Sequence, residues 1–374
     1  MASIVSWLTL KSVPGVGNLI FRRLLDKVGS PRQILQSPPR KLVQVAGLSP
    51  RIAAAIGRQR TPDWVRQDIE RCGKKGFKII TLHDSSYPAL LGNIPDPPPV
   101  LYCHGALEGN DCHIAVVGSR GATSYGRSSA MRICQELADR GISVVSGMAL
   151  GIDAAAHVGA LKADGRTVAV LGSGLDRVYP RENLKLFERI AENGAVISEF
   201  SLGTEPKPHH FPQRNRVISG MSLGTVVVEA TRRSGSLITA RLSAEQGREV
   251  FAVPGSIHAP TAKGTNDLIK QGAKLVETAM DILEEVAPHI AEPEPEPKTD
   301  DPQGSDAVAS RSTDLSREQA DVLKAVGHYP VHIDDLARQC EQGIGQLTAI
   351  LAQLELMGAI CQEPGKFFIR RDEQ

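Results

Sequence analysis

Between residues 114 and 286, short runs of β-branched residues alternate with stretches of helical periodicity. This alternation is typical of a parallel sheet covered by helices, and it constrains the fold more than any other feature of the chain. The predicted strands are Ile114–Val117, Val144–Ser146, Thr167–Leu171, Ala195–Ser198, Thr225–Glu229 and Glu249–Val253, and the predicted helices are Ser128–Arg140, Ala154–Ala163, Arg181–Asn193, Leu237–Gln246 and Thr278–Val286. We therefore predict an α/β core whose right-handed crossovers bring the carboxyl ends of the strands to one edge.

The N-terminal part of the chain has a different pattern. Two glycine-containing turns, Val13–Gly17 and Val45–Pro50, each open an apolar-periodic stretch and form a weak repeat. This repeat has two explanations. The turns could belong to hairpins between short helices, in which glycine lets backbone N–H groups approach a phosphate, or they could be turns that bind no ligand. With either explanation, residues 1–75 are predicted to form a small helical domain of the SAM-like or helix-hairpin-helix type.

The C-terminal part begins with an acidic, Pro-rich run, Glu292–Pro297, which lacks apolar periodicity and predicts a solvated linker. Three helical patterns and a turn at Glu363–Lys366 then indicate a winged helix. These patterns are Arg317–Val326, Ile333–Cys340 and Gly345–Met357. A chain of 374 residues exceeds the usual size of one core. The predicted organisation is a helical domain over 1–75, a connecting segment over 76–110, an α/β domain over 111–287, a linker over 288–313 and a winged helix over 314–374.

Charge and composition limit the classes of partner. Residues 1–110 hold 15 Lys and Arg against 7 Asp and Glu, which favours a polyanionic partner, whereas the C-terminal part is acidic. No apolar run approaches the roughly 18 residues needed to cross a bilayer, and the N-terminus lacks a secretion signal. We therefore expect a cytoplasmic protein without a membrane partner. The six cysteines show no Cys-x-x-Cys spacing, which indicates reduced thiols and no metal site.

Glycine-rich turns follow the first three predicted strands of the core, at Gly118–Gly121, Gly147–Gly151 and Gly172–Gly174. In open α/β sheets such turns line the ligand crevice, and helix N-termini there attract anions. The turn after the third strand lacks the last glycine of G-x-G-x-x-G, and the chain has no P-loop. The crevice is therefore predicted to bind phosphate without NAD, ATP or any other cofactor.

A second segment, His210–Ser222 followed by Arg232–Ser236, combines guanidinium groups, one phenylalanine ring and small residues. Arginine matches phosphate oxygens and an aromatic ring stacks on a base, so this combination suits a phosphodiester backbone with an unstacked base.

Three catalytic interpretations compete with this one. Ser222 matches G-x-S-x-G, but the predicted strand follows the serine instead of preceding it, so a helix-terminating role is favoured. Asp153 and His157 are spaced for an acid/base pair, although a capping aspartate with a packed histidine is favoured. Glu199 and Glu229 close predicted strands and could face the crevice, which leaves a hydrolase open.

Taken together, the motifs of the core resemble the DNA-processing protein A (Smf) family over nearly all of residues 111–287. The motifs that carry this resemblance are Val117–Arg120, Ser146–Asp153 with Ala156-His157, Phe211–Gly220, and Glu229-Ala230 with Arg233–Ala240. The resemblance implies an extended Rossmann-like fold that binds single-stranded DNA, protects incoming strands during natural transformation and helps to load the RecA recombinase. It also implies a homodimer, no catalytic residues and no enzymatic reaction.

The resemblance also assigns roles to residues. Gly118, Ser119 and Arg120 would hold phosphates, Phe211 would stack on a base, and Arg214 and Arg216 would shape or charge the pocket. A lysine that some members carry falls here at Pro208, and the neighbouring Lys207 is taken as its substitute. The predicted single-stranded-DNA-binding residues are Gly118, Ser119, Arg120, Gly147, Lys207, Phe211, Arg214, Asn215, Arg216, Arg233, Ser234, Gly235 and Ser236.

Two alternative functions stay open. Gly224-Thr225 followed by Glu229 is similar to part of the P-G-G-x-G-T-x-x-E pattern of nucleoside-monophosphate phosphoribohydrolases, although the residues before Gly224 depart from it. The second alternative is an adaptor that joins proteins through the winged helix. Its third helix, Gly345–Met357, has no Lys or Arg, which favours contact with a protein over insertion into a DNA groove.

Overall fold

The computed structural model describes residues 2–109, 112–288, 316–326, 331–340, 343–363 and 365–370. The chain divides into two compact units, a large one built around a nine-stranded sheet and a small winged helix. The predicted linker, residues 288–313, lies outside the described residues except for Pro288.

The strands of the large sheet lie in the order β1-β2-β6-β5-β4-β3-β7-β8-β9. From β6 to β9 all neighbours are parallel, whereas β2 is antiparallel to β6 and β1 to β2. The strands are β1 Lys78–Thr81, β2 Val100–Gly105, β3 His113–Val117, β4 Ser143–Ser146, β5 Thr167–Val170, β6 Gly194–Ser198, β7 Gly224–Val227, β8 Glu249–Ala252 and β9 Lys274–Leu275. The sheet order reverses between β3 and β7, which is the place where open α/β sheets form their ligand crevice.

All six predicted strands are present, and the predicted α/β fold is confirmed. Strands β3 to β7 are buried along their whole length because helices cover both faces of the sheet, which matches their runs of apolar residues. Residues 76–110, treated from sequence as a connecting segment, instead contribute β1 and β2 to the sheet. The proline run before β2 conceals this strand in the sequence, since proline favours loops.

Helices flank the sheet and form the N-terminal region. Residues 2–75 fold into six short helices, and two of them begin at the predicted glycine-containing turns, with Gly17 and Ser49 as N-caps. The helices of the large unit are α1 Ala2–Lys11, α2 Asn18–Val28, α3 Pro31–Gln36, α4 Pro39–Ala46, α5 Pro50–Arg58, α6 Asp63–Lys75, α7 Ala89–Gly92, α8 Ser124–Ala138, α9 Ile152–Lys162, α10 Leu184–Glu192, α11 His210–Gly220, α12 Ser236–Glu245, α13 Lys263–Lys270 and α14 Ala279–Val286.

One continuous apolar core joins the N-terminal helices to the sheet. Trp7, Phe21 and Leu24 of the helices belong to the same buried cluster as Tyr102 of β2 and Val196 of β6. The helices therefore cover one side of the sheet and do not form a separate core.

The small unit has the predicted winged-helix architecture. Its elements are helices α15 Arg317–Ala325, α16 Ile333–Cys340 and α17 Ile344–Leu356 and strands β10 Val331–His332, β11 Ile360–Glu363 and β12 Phe367–Arg370. The strands are antiparallel in the order β10-β12-β11, and β11 and β12 form the predicted hairpin. Val322, Leu336, Leu351 and Phe368 belong to its own apolar core. Within the described residues, none of the helices has the length and hydropathy needed to cross a membrane.

Candidate nucleic-acid interface

An open cavity of about 470 Å³ lies at the carboxyl ends of β3 and β7, where the sheet order reverses. It is bounded by the turn after β3, the first half of α11 and the start of α12. The predicted site residues that line it are Gly118, Ser119, Arg120, Phe211, Arg214, Asn215, Ser234, Gly235 and Ser236. Motifs about a hundred residues apart in the sequence therefore meet in one crevice.

The turn after β3 is held by the glycine loop that precedes α9. The backbone N–H of Ile152 donates to the carbonyl of Ser119 at 3.1 Å. Gly151 has a φ of +80°, and a Cβ atom there would lie 2.3 Å from the same carbonyl oxygen. Only glycine permits this conformation and this approach. The contact fixes the turn from which Arg120 extends.

Arg120 is exposed at the mouth of the cavity. Its guanidinium carbon lies 5.0 Å from the centroid of the Phe211 ring, a cation–π distance. Among the described residues it makes no hydrogen bond or ion pair. Its five N–H donors are thus available to a ligand.

Phe211 lies in the first turn of α11 and is half-buried. Its ring packs on the backbone of Gly172, where a Cβ atom would lie 3.0 Å from the ring. The ring of Tyr179 also lies near Phe211, with the two ring centroids 5.9 Å apart and the ring planes tilted by 44°. Gly172 and Tyr179 therefore hold the Phe211 ring in place at the edge of a cavity that also contains Arg120 and Arg214.

Arg214 is buried, with 4% of its surface exposed, and its hydrogen bonds go to the protein. Its Nη1 donates to the carbonyl of Gly147 at 2.7 Å and to that of Val170, and its Nε donates to Asn215 at 3.1 Å. Burial lowers the pKa of Arg214 to about 10, which leaves it charged at neutral pH. Arg214 thus joins the loop after β4 to the end of β5 and adds positive charge below the cavity.

Asp153 also lines the cavity, and it was not among the predicted site residues. Its carboxylate accepts a hydrogen bond from the backbone N–H of Ala149 at 3.3 Å. Burial raises the pKa of Asp153, and the neighbouring Arg214 and Arg120 oppose that shift. The carboxylate therefore holds the glycine loop in place, but the predicted capping role is wrong, because the N-cap of α9 is Gly151 and Asp153 lies inside the helix.

The predicted residues Arg216, Lys207 and Arg233 do not line the cavity. Arg216 is buried and its guanidinium contacts Glu199 Oε2 at 2.5 Å, the carbonyl of Asp96 at 2.7 Å and the Asp96 carboxylate at 3.3 Å. The reason is helical geometry, because at about 100° per residue Arg216 faces away from Phe211 while Arg214 and Asn215 flank it. Lys207 and Arg233 are exposed outside the cavity.

Gly147 and Tyr179 line a smaller cavity of about 50 Å³ that adjoins the first one. Gly147 allows Arg214 to approach, since a Cβ atom there would lie 2.6 Å from Nη1. Tyr179 was not among the residues predicted from the sequence. The available signal was an aromatic residue beside proline in the polar loop that follows the third predicted strand of the core.

The catalytic interpretations do not match the geometry. Ser222 is buried after the end of α11, and its hydroxyl donates to the carbonyl of Ile218 at 2.9 Å. The Thr167 hydroxyl donates to the Val144 carbonyl, so it accepts from Nδ1–H of His157 at 2.7 Å. Burial lowers the pKa of His157 to about 3, so this histidine is neutral and packed.

The carboxylates that follow β6 and β7 are also unsuited to act in the cavity. Glu199 is paired with Arg216, and Glu229 is buried and does not line the cavity. In the part of the chain that the structure describes, no group of three or more His, Cys, Asp or Glu residues has a geometry that could hold a metal ion.

Sequence comparison covers both units of the protein. The family described as DNA recombination-mediator protein A matches residues 78–287, and the DprA winged helix domain matches residues 292–366. Protein Smf of Synechocystis sp. is 34% identical over 390 residues, which cover 98% of this chain and 98% of that protein.

Structural comparison gives the same relationship. The crystal structure of DNA processing protein A from Streptococcus pneumoniae matches with a TM-score of 0.64 and 35% identity, covering 75% of this chain and 98% of that one. DNA processing protein A from Helicobacter pylori, whose structure concerns its single-stranded DNA binding mode, matches with a TM-score of 0.52 and 30% identity. It covers 57% of this chain and 97% of that one. From these matches and the shared motifs, the chain belongs to the DNA recombination-mediator protein A family.

Proposed function

We propose that this protein binds single-stranded DNA in the cavity at the carboxyl ends of β3 and β7. The observation that carries this proposal is the exposed Arg120 guanidinium 5.0 Å from the Phe211 ring, which places a phosphate donor beside a stacking surface. The single-stranded DNA binding of the Helicobacter pylori relative supports it.

The opposite wall of the cavity offers hydroxyl groups, since Ser234 and Ser236 lie there with their hydroxyl oxygens 2.8 Å apart. Helix α12 begins at Ser236, and its N-cap, Gly235, provides no side-chain cap. The N–H groups of Ser236, Leu237 and Ile238 donate to Ser234 and Gly235, but the positive end of the helix dipole still attracts anions. Phosphates would therefore lie between Gly118–Arg120 and Ser234–Ser236, and a base would stack on Phe211. Arg214, Asn215 and Gly147 would shape the surface beneath them.

The residues outside the cavity have other roles. Lys207 and Arg233 would attract the strand as it leaves the cavity, with small individual effects because both side chains are exposed to solvent. Arg216 would stabilise the fold through Glu199 and Asp96 without contacting DNA.

The biological role that we infer follows the family. The protein protects incoming or processed single strands and helps to load the RecA recombinase during natural transformation or recombination, acting in the cytoplasm as a homodimer without an enzymatic reaction. The DNA processing proteins among its relatives support this role.

The test compares labelled single-stranded and double-stranded oligonucleotides by fluorescence anisotropy over a range of salt concentrations. Loss of charge-assisted contacts costs on the order of 1.5–3 kcal/mol, so Arg120→Ala should weaken single-strand binding by at least about 10-fold. Arg232→Ala is the matched control, because it removes the same charge from an arginine that pairs with Asp267 and does not line the cavity.

Binding should weaken as salt rises and depend little on base sequence, because phosphate contacts and stacking supply it. Unchanged affinity in a folded Arg120→Ala protein would remove Arg120 from the site. Strong discrimination between homopolymers, or a preference for duplex, would contradict the mode of binding. Absence of binding by the wild type would overturn the proposal and make nucleotide turnover the next measurement.

A further inference from the structure

A small cavity of about 50 Å³ adjoins the main one, and Phe211 lines both. Its rim includes two exposed apolar side chains, Leu150 with 43% and Tyr179 with 46% of its surface accessible. Its floor is Gly147 and the charged Arg214. The surface thus combines an aromatic ring, an aliphatic side chain and a buried positive charge.

The loop that carries Tyr179 is anchored by hydrogen bonds. Asp176 accepts from Arg71 Nη2 of α6 at 2.5 Å, and the buried Asn183 donates to the carbonyl of Met148 at 2.8 Å. Met148 belongs to the same glycine loop as Leu150. These bonds hold the two exposed apolar side chains next to each other, and a ring held in position loses little entropy when it binds a ligand.

The tyrosine is not needed for a hydrogen bond within the protein. Among the described residues its hydroxyl has no partner, and its ring contact is with Phe211, at 5.9 Å between centroids. A tyrosine that faces solvent beside a stacking ring, with its polar group unused, has the properties of a second stacking surface.

We propose that Tyr179 and Leu150 form a second base subsite, which takes the nucleobase adjacent to the one that stacks on Phe211. This inference rests on the proposed single-stranded DNA binding. Arg120 and Arg214 line both cavities, so their charges lie where the phosphate that links two successive nucleotides must pass. The small volume requires the base to lie against the Tyr179 ring, partly in solvent, and not in an enclosed pocket.

The experiment measures the affinity of a labelled oligothymidylate and of an oligonucleotide of equal length in which every nucleotide is abasic. Tyr179→Ala should weaken oligothymidylate binding by about 10-fold, the effect of losing one base–aromatic stack. The same variant should bind the abasic strand as the wild type does. Tyr179→Phe should retain wild-type affinity for both, because the ring and not the hydroxyl makes the contact.

Leu184→Ala is the matched control. Leu184 is also exposed, at 51%, and lies five residues away without lining either cavity. Circular dichroism and thermal unfolding check that each variant is folded. If Arg120→Ala loses binding while Tyr179→Ala matches the wild type, the second subsite is wrong and the proposed function stands. Equal losses on the base-containing and abasic strands would also overturn the subsite. A wild type that fails to bind either strand would overturn both proposals.

Discussion

Helix α11 connects two regions that use arginine in opposite ways. At its N-terminal end, the open cavity contains Arg120, which is exposed and has no polar partner among the described residues. One turn further, Arg216 is buried and paired with Glu199 and Asp96. Both are arginines of motifs shared with the same family, yet the first is available to a ligand and the second is committed to the fold. Burial and partners, not residue type, distinguish binding from structural arginines.

The region around Arg216 is a junction between the N-terminal helices and α11. Arg216 and Asn18 both donate to the carbonyl of Asp96, at 2.7 and 3.4 Å. Arg22 of α2 donates to the carbonyl of Ile94 at 2.6 Å. Three side chains from two helices therefore hold one short loop. The junction fixes the direction of α11 and so the position of Phe211.

The strongest test of this contrast is Arg216→Ala. Removing one partner of a buried ion pair leaves the other charge, here Glu199, without its hydrogen-bonded partner, and lowers the free energy of unfolding by about 3–5 kcal/mol. Urea denaturation followed by circular dichroism measures this loss. Arg120→Ala should leave the unfolding free energy within about 0.5 kcal/mol of the wild type. A stable Arg216→Ala protein with impaired DNA binding would reverse the two roles.

A smaller loss of stability, together with weaker DNA binding, is expected for Gly147→Ala. The new Cβ atom would lie 2.6 Å from Arg214 Nη1 and displace a guanidinium that is held by two carbonyls. Overpacking of this kind costs about 1–3 kcal/mol of stability, and DNA affinity should fall as the floor of both cavities moves. Gly121→Ala is the control, since Gly121 also lines the main cavity but a Cβ atom there has no neighbour within 4 Å. Equal unfolding free energies and equal DNA affinities of the two variants would show that the Arg214 guanidinium can shift without cost.

The smallest predicted effect concerns Lys11 at the junction. Burial lowers the pKa of Lys11 to about 8 from 10.5, and its Nζ donates to the carbonyl of Glu199 at 2.5 Å. Between these two values the unfolded chain binds more protons than the folded protein, so the free energy of unfolding rises with pH in that window.

Denaturation of the wild type and of Lys11→Met at several pH values isolates this contribution. From about pH 7 to about pH 9 the wild type should gain roughly 1 kcal/mol relative to the variant. Subtracting the pH profile of the variant from that of the wild type removes the contribution of the buried cysteines. Burial raises the pKa values of Cys72 and Cys103, so above the ordinary pKa of a thiol they make the free energy of unfolding fall as pH rises. Parallel pH profiles would show that Lys11 is hydrated in the folded protein.

The sequence predicted the sheet well and the site in part, for separable reasons. Strands β3 to β8 carry apolar runs between glycine turns, so periodicity alone located them. Strand β1 is a four-residue edge strand, and β2, its antiparallel neighbour, follows a run of prolines, so neither gave such a signal. At the candidate site, the glycine turns after β3 and β4 lie at the two cavities because parallel strands end at one edge, whereas the predicted turn Gly172–Gly174 lines neither cavity. The direction of Arg216 and the approach of Tyr179 to Phe211 depend on helix phase and on a loop anchored by Arg71, which no local pattern contains.

The core shared by the N-terminal helices and the sheet has a consequence for how this protein can be divided. Tyr102 of β2 donates its hydroxyl to Asp68 of α6 at 3.1 Å, and Trp7 and Phe21 belong to the same buried cluster as β2 and β6. A fragment that starts at residue 76 would expose the apolar surface of β2 and β6 to water. It would also leave the buried Tyr102 hydroxyl without Asp68, the carboxylate that accepts its hydrogen bond. The six helices cover one face of this sheet, so a shortened version of the protein would need a new apolar cover for that face.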